Sequence, residues 1–471
     1  MEKLGVPIYG DDLPEDQISP ESLVNRIIAT SAFQSFFTTI SNGGFLLLAA
    51  SVAALIWSNI NPESYAHFWH QKFNLTIGSA ALSHSLGHWV NDGLMTLFFF
   101  TVGLEIKREM LVGALSDPRR ASLPVAAAIG GMIFPALIYW VFNGGSATMS
   151  GWGIPIATDI AFSLAILSTL GRRIPFGIRI FLTAFAIADD LGAILVIALF
   201  YTPQIHLIYL LGALGIGALL FIMNRFWVRN PLVYLVLGVA MWYMVGHSGL
   251  HATITGVIVS MFIPARGHYN TDLFMKMVRN HLDTINCEGD ECGHTIMVNR
   301  RHLDAVHSIN VACSAVETPL QRMEHAMEPW VAYLILPLFA LANAGVVLGA
   351  LDLGAAVTHP VTVGVIIGLG FGKPIGITLF TWLTTKLLRV ELISGATWLM
   401  ILGVGFLGGI GFTMSLFISA LSFSEPIFKE YAKIGIIGGS VIGGVIGYIV
   451  LRIAAAGAKS AQTSSSIPTG Q

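Results

Sequence analysis

Few ionisable side chains fall inside the apolar stretches of this sequence, and those that do can bind and release charge. Asp189 and Asp190 are adjacent in Ala188-Asp-Asp-Leu-Gly-Ala193, Asp159 ends Gly151-Trp-Gly-Ile-Pro-Ile-Ala-Thr-Asp159, and Lys373 stands in Phe371-Gly-Lys-Pro-Ile-Gly376. Asp92, Glu105 and Glu109 belong to another apolar stretch, and His251 opens a further one. Neighbours on a helix point about 100° apart, so one acid of the 189–190 pair can face a cavity while the other meets a neighbouring helix. Burial and like charge favour the protonated form of paired carboxylates, and such a pair titrates as a unit. It can hold a proton and surrender it to a small cation, for which carboxylate and carbonyl oxygens are suitably hard ligands. Thr158 and opened backbone beside it could add oxygens. If both acids were permanently paired with Lys373, one acid would be left over.

These side chains need a membrane scaffold. Of 471 residues, 54% are hydrophobic and 11% charged, against roughly 25% charged in soluble domains. With a mean hydropathy of +0.73, a soluble globule and a disordered chain are both excluded. A net charge of −2 without a basic stripe offers nothing to nucleic acid. The three cysteines, all within 265–329, provide no disulfide framework for the membrane part. Residues 1–35 are acidic and lack the basic start of a secretory leader, so the first apolar segment is expected to remain as a spanning helix.

A helix crossing ~30 Å of hydrocarbon needs about 20 mostly apolar residues. Twelve segments qualify, near 36–59, 88–106, 121–142, 148–169, 175–200, 205–225, 231–246, 250–264, 330–350, 357–385, 397–423 and 430–453. The loops after the even-numbered spans hold sixteen Lys and Arg; those after the odd-numbered spans hold Lys72 and Lys429 alone. That alternation predicts both termini in the cytoplasm. The organisation expected is a cytoplasmic segment 1–35, spans 1–8 over 36–264, a cytoplasmic insertion 265–329, spans 9–12 over 330–453 and a disordered cytoplasmic tail 454–471. The apolar residues and Gly-Ser turn within 60–87 predict a small hairpin outside the membrane.

Two spans should be interrupted. Pro155 breaks the fourth, and five glycines among residues 403–411 break the eleventh. Broken helices inside lipid are tolerated where protein or a water cavity satisfies the freed backbone, and in corresponding positions they mark a transporter site. With spans 3–5 and 10–12 as units, the broken helix is the middle one of each. The units lie seven spans apart, which gives opposite orientation, the arithmetic of an inverted repeat. The fold class predicted is thus an all-α polytopic membrane protein with inverted-topology repeats and two crossed, interrupted helices. Half-helices meeting at the midplane bring like dipole ends together; Asp159 and Lys373 are placed to neutralise them, with direct ion ligation the other role open to Asp159.

The stretches quoted above, with Ile156-Ala-Thr-Asp-Ile-Ala-Phe162, Gly409-Ile-Gly-Phe-Thr-Met-Ser415, Val102-Gly-Leu-Glu-Ile-Lys-Arg-Glu109 and Trp330-Val-Ala-Tyr-Leu-Ile-Leu-Pro337, resemble the signatures of the NhaA sodium/proton antiporters, in order from span 1 to span 12. The resemblance implies that Asp190 is the main sodium and proton site and that Asp189 pairs with Lys373 when no cation is bound. It puts Thr158 at the helix crossing, with Asp159 and Lys373 balancing the half-helices. It also implies a pH-response cluster of Glu105, Arg108, Glu109 and Glu324 with His251 as modulator. Further implications are electrogenic exchange of sodium or lithium for a larger number of protons, a homodimer formed partly by the 60–87 hairpin, and a bacterial inner membrane. The sequence departs from the family pattern in its long 265–329 stretch, in Gln321 where Lys is common, and in Glu328 where His is common.

Other signals are weaker. Cys287, Cys292, His294, His302, His307 and Cys313 fit no usual zinc spacing and read as a solvated loop with free thiols. Gly368-Leu-Gly-Phe-Gly-Lys373 lacks the Ser or Thr of a phosphate loop and is followed by Pro374. Gly435, Gly439, Gly443 and Gly447 form a close helix-packing stripe, and His67, His70, His84 and His88 read as outer surface. An intramembrane aspartyl protease would need Gly-x-Gly-Asp in a span, and a prenyl-transferring enzyme Asp-Asp-x-x-Asp; neither motif occurs. A cation channel, which needs no titrating acid pair beside a buried Lys, stays as the alternative, together with another proton-coupled cation transporter. The reading is a transporter, not an enzyme, and it calls for no cofactor.

Overall fold

The computed structural model describes residues 42–77, 80–201, 206–265, 271–285, 300–393 and 395–465. These are almost entirely helical. The exception is one antiparallel hairpin, β1 (Lys72–Ile77) with β2 (Ala80–Ser85), in which Phe73 is opposite His84. It follows α1 (Asn42–Ile60) and α2 (Pro62–His70), within the stretch predicted to form it.

Nine helices among the described residues are long and apolar enough to cross a membrane, and a bent helix pair brings the number to ten. They match predicted spans 1, 3 to 7 and 9 to 12, the pair being span 11. The remaining two predicted spans fall short of that standard. The second is a π turn, Trp89–Leu94, leading into α3 (Met95–Leu111), whose last turns carry Glu105, Lys107, Arg108 and Glu109. The eighth is α9 (Ile254–Phe262), nine residues long and therefore about 14 Å at 1.5 Å per residue. Its predicted apolar run includes Leu250–Thr253, a turn entered after Gly249, which has φ +90° and ends α8 (Pro231–Ser248). Apolar composition counted those residues as helix; the left-handed glycine takes them out of it.

Among its described residues, the 265–329 stretch is largely helical. It holds α10 (Thr271–Ile285) and α11 (Arg300–Val316), packed on each other. After them α12 (Pro319–Trp330) starts at a Thr318/Gln321 capping box and runs through a π turn, Val331–Ile335, into α13 (Leu336–Asn343). The helix of the ninth span therefore starts at Pro319, eleven residues before the predicted span. The last helix, running Pro426–Ser465, continues past 453 into the expected disordered tail. The 1–35 segment, Cys287 and Cys292 lie outside the described residues; Cys313 is an exposed free thiol.

Glycines set the central packing. The third span, α4 (Pro118–Asn143), crosses the tenth at Gly130 and Gly376, where a Cβ on either would run into the other's carbonyl oxygen. Only two glycines let these backbones touch. The stripe on the last helix does the same work: Gly435 packs on Thr362, Gly439 on Leu369, Gly443 on Phe406 and Gly447 on Leu407. It presses the tenth span and the broken eleventh into one layer.

Candidate functional site

The fourth span begins as a ten-residue 3₁₀ helix, Ala147–Ile156, with Pro155 inside it. The chain is then extended at Ala157 and Asp159 before α5 (Ile160–Thr169) starts. The eleventh span breaks between α17 (Trp398–Gly408) and α18 (Phe412–Ser422), which are bent by 44°. Both interruptions sit where Pro155 and the glycines predict them.

The two breaks meet. The Asp159 amide donates to the Ile410 carbonyl at 2.6 Å, the Thr158 hydroxyl to the Gly408 carbonyl at 2.9 Å and the Ser163 hydroxyl to the Leu407 carbonyl at 2.8 Å. These bonds run from the break of the fourth span to carbonyls at the end of α17 and in the break that follows it. Asp159 serves the opposite ends. Its Oδ1 accepts from the Phe162 amide at 3.0 Å, capping its own helix, and its Oδ2 accepts from the amide and hydroxyl of Thr413 at 3.1 and 2.5 Å. One carboxylate thus stands at two positive N-termini. With both oxygens used by protein donors, dipole compensation is the better supported of its two possible roles.

Lys373, on α16 (Lys373–Leu388), is fully buried. Its ammonium donates to the Ile156 carbonyl, at the negative end of the 3₁₀ segment, and to Asp189 Oδ2 at 2.8 Å. Asp189 and Asp190 lie mid-way along α6 (Phe176–Phe200), buried together, with Thr158 beside Asp189. Oδ1 of Asp190 has no hydrogen-bond partner among the described residues. Asp189, Glu105, Lys373 and Asp159 set the field at Asp190. Two buried acids therefore share one buried ammonium. A buried, unpartnered carboxylate oxygen is costly and suits a proton or a hard cation.

A second cluster forms around Arg108, whose guanidinium reaches Glu324 at 2.9 Å, Glu109 at 3.4 Å and Glu105 at 4.0 Å. Glu328 adds its charge to Arg108 and pairs with His325 at 3.8 Å. Sequence noted Glu328 only as a departure from a pattern; its place four residues after Glu324 on one helix is the signal that puts it here. His251 does not join this cluster. Its Nε2 bonds the Tyr201 carbonyl at 3.0 Å, and its ring feels Asp92, which pairs with His88 at 3.3 Å. His84 and His88 stack at 4.2 Å, and with His247, Trp242 and Tyr243 they line a cavity of about 170 Å³. Thr413 and Ser163 escaped sequence reasoning, although each hydroxyl stands within a turn of a predicted break.

Residues 34–451 match the family described as Na+/H+ antiporter 1. The Na(+)/H(+) antiporter NhaA of Oleidesulfovibrio alaskensis is 44% identical over 433 residues, which cover 91% of this chain and 95% of the relative. That of Acidithiobacillus ferrooxidans is 45% identical, with 89% and 97% covered, and that of Helicobacter pylori 43%, with 89% and 95% covered. Broken helices crossing beside two buried acids and one buried Lys, along a chain matched from end to end of its membrane part, place it: this chain belongs to the NhaA family of Na+/H+ antiporters.

Proposed function

We propose that this protein moves sodium or lithium out of the cell in exchange for external protons. The observation that carries the reading is the buried charge imbalance, Asp189 and Asp190 against Lys373 alone. With no cation bound, Lys373 neutralises Asp189 and a proton neutralises Asp190. An arriving sodium ion takes oxygens from Asp190 and Asp189, with Thr158 close by, and displaces the proton and the Lys373 contact. Proton and sodium then compete for one site, and re-arrangement of the crossed breaks exposes it to each side in turn.

The same reading assigns Asp159 and Lys373 to dipole balance and Glu105, Arg108, Glu109 and Glu324 to the pH response, with His251 modulating from beside Tyr201. It places twelve membrane passages in a bacterial inner membrane, with both termini cytoplasmic and the β-hairpin contributing to a homodimer. The alternation of basic loops supports that orientation. Asp190→Asn keeps the side-chain volume and removes the exchangeable charge. It is expected to abolish sodium-driven proton movement in everted vesicles while the protein still folds; normal exchange by this variant would overturn the site.

A further inference from the structure

A 3₁₀ run of ten residues is unusually long, since such helices seldom exceed three or four. Side chains from four other elements hold this one by its carbonyls. Tyr139 donates to Thr148 at 2.8 Å, Tyr201 to Ser150 at 2.7 Å, Ser415 to Ile154 at 2.8 Å, and Lys373 to Ile156. Tyr201 grips twice, because its hydroxyl also accepts from the Gly153 amide at 3.2 Å. There is no room for a side chain at Gly153, where a Cβ would press on the Tyr201 hydroxyl. Tyr201 is also the residue that closes α6, the helix carrying Asp189 and Asp190. The acid helix and the 3₁₀ segment are therefore tied at two places, at Tyr201 and through Asp189, Lys373 and Ile156.

We propose that Tyr201 is a positioning residue for exchange: its hydroxyl fixes the 3₁₀ segment so that the Ile156 carbonyl keeps hold of Lys373 when a cation takes its place at Asp189. This rests on the proposed site at Asp189 and Asp190. A buried ammonium stripped of both partners is far more costly than one that keeps a carbonyl at a helix's negative end. The cation must displace Lys373 from Asp189, so a well-placed Ile156 carbonyl makes that displacement cheaper and apparent sodium affinity higher.

The test is Tyr201→Phe, which leaves the backbone carbonyl bonded to His251 untouched, assayed in proteoliposomes beside Asp190→Asn. The expected result is an apparent KM for sodium raised about fivefold, the worth of roughly one hydrogen bond, with the maximal rate within about twofold of the unaltered protein. An unchanged KM, or a fall in maximal rate alone, overturns the proposal. Normal exchange by Asp190→Asn in the same assay would instead sink the site on which it rests. Should Tyr201→Phe not fold, Ser415→Ala, which frees the carbonyl two residues before Ile156, is read by the same KM criterion.

Discussion

Asp159 Oδ2 accepts both the amide and the hydroxyl of Thr413, 254 residues further along the chain. One side chain of the fourth span thereby caps the second half of the eleventh, while its other oxygen caps its own helix. Losing an N-cap costs about 0.5–2 kcal/mol, so Asp159→Ala, which removes two, is expected to lower stability by about 1–4 kcal/mol. Asp159→Asn keeps one acceptor oxygen and should lose roughly half as much. Thermal unfolding in detergent checks this, and equal midpoints for all three proteins would refute shared capping.

Lys373 and Asp189 form a fully buried pair at 2.8 Å. Removing one partner of such a pair costs about 3–5 kcal/mol. Lys373→Met should thus destabilise strongly, whereas sodium, which on the proposed mechanism competes with Lys373 for Asp189, should bind at least as well as before. Thermal unfolding and sodium-dependent proton release, measured on the same sample, separate the two effects. A variant of unaltered stability with much weaker sodium binding would reverse the assignment.

Arg108 is the cation shared by Glu105, Glu109 and Glu324. It is about one third exposed while Glu324 is buried, so water screens part of its charge. Arg108→Gln is expected to lower stability by about 1–3 kcal/mol, below the range for a fully buried pair. Adding Glu324→Gln should recover part of that loss, because the second change removes the stranded charge. Additive losses in the double variant would show that the two residues do not act as a pair.

His84 lies on β2, outside the spanning helices. Partial burial, then the charge of His88, lowers its proton affinity from the ordinary 6.5, with Asp92 opposing and His247 adding to the shift. The folded hairpin therefore favours neutral His84, and the unfolded chain binds more protons near and below that pH. The stabilisation is complete above about pH 6.5 and fades as pH falls. Amide protection across 72–85, corrected for intrinsic exchange, should be lower at pH 5.5 than at pH 7.5. In His84→Gln the difference should shrink; an undiminished difference would place the titration elsewhere.

Local chemistry made much of the architecture legible before folding. Long apolar runs cross a membrane because helices bond their own backbone groups, and Pro155 and the glycine-rich 403–411 stretch marked the two spans that break. Asp189, Asp190 and Lys373 declared themselves because ionisable groups in apolar runs are expensive and need each other. Where composition alone was read, it misled: Leu250–Thr253 counts as apolar yet turns after a left-handed glycine, and 265–329 is polar yet its described residues include two helices packed on each other. Only the tertiary structure decided which atoms satisfy the broken ends. Asp159 with Thr413, Thr158 with Gly408, Tyr201 with Ser150 and Lys373 with Ile156 join residues 51 to 254 positions apart. No periodicity encodes such pairs, because a hydrogen bond between elements depends on where packing sets two backbones, and that is settled by the close approach of helices at Gly130, Gly376 and Gly443.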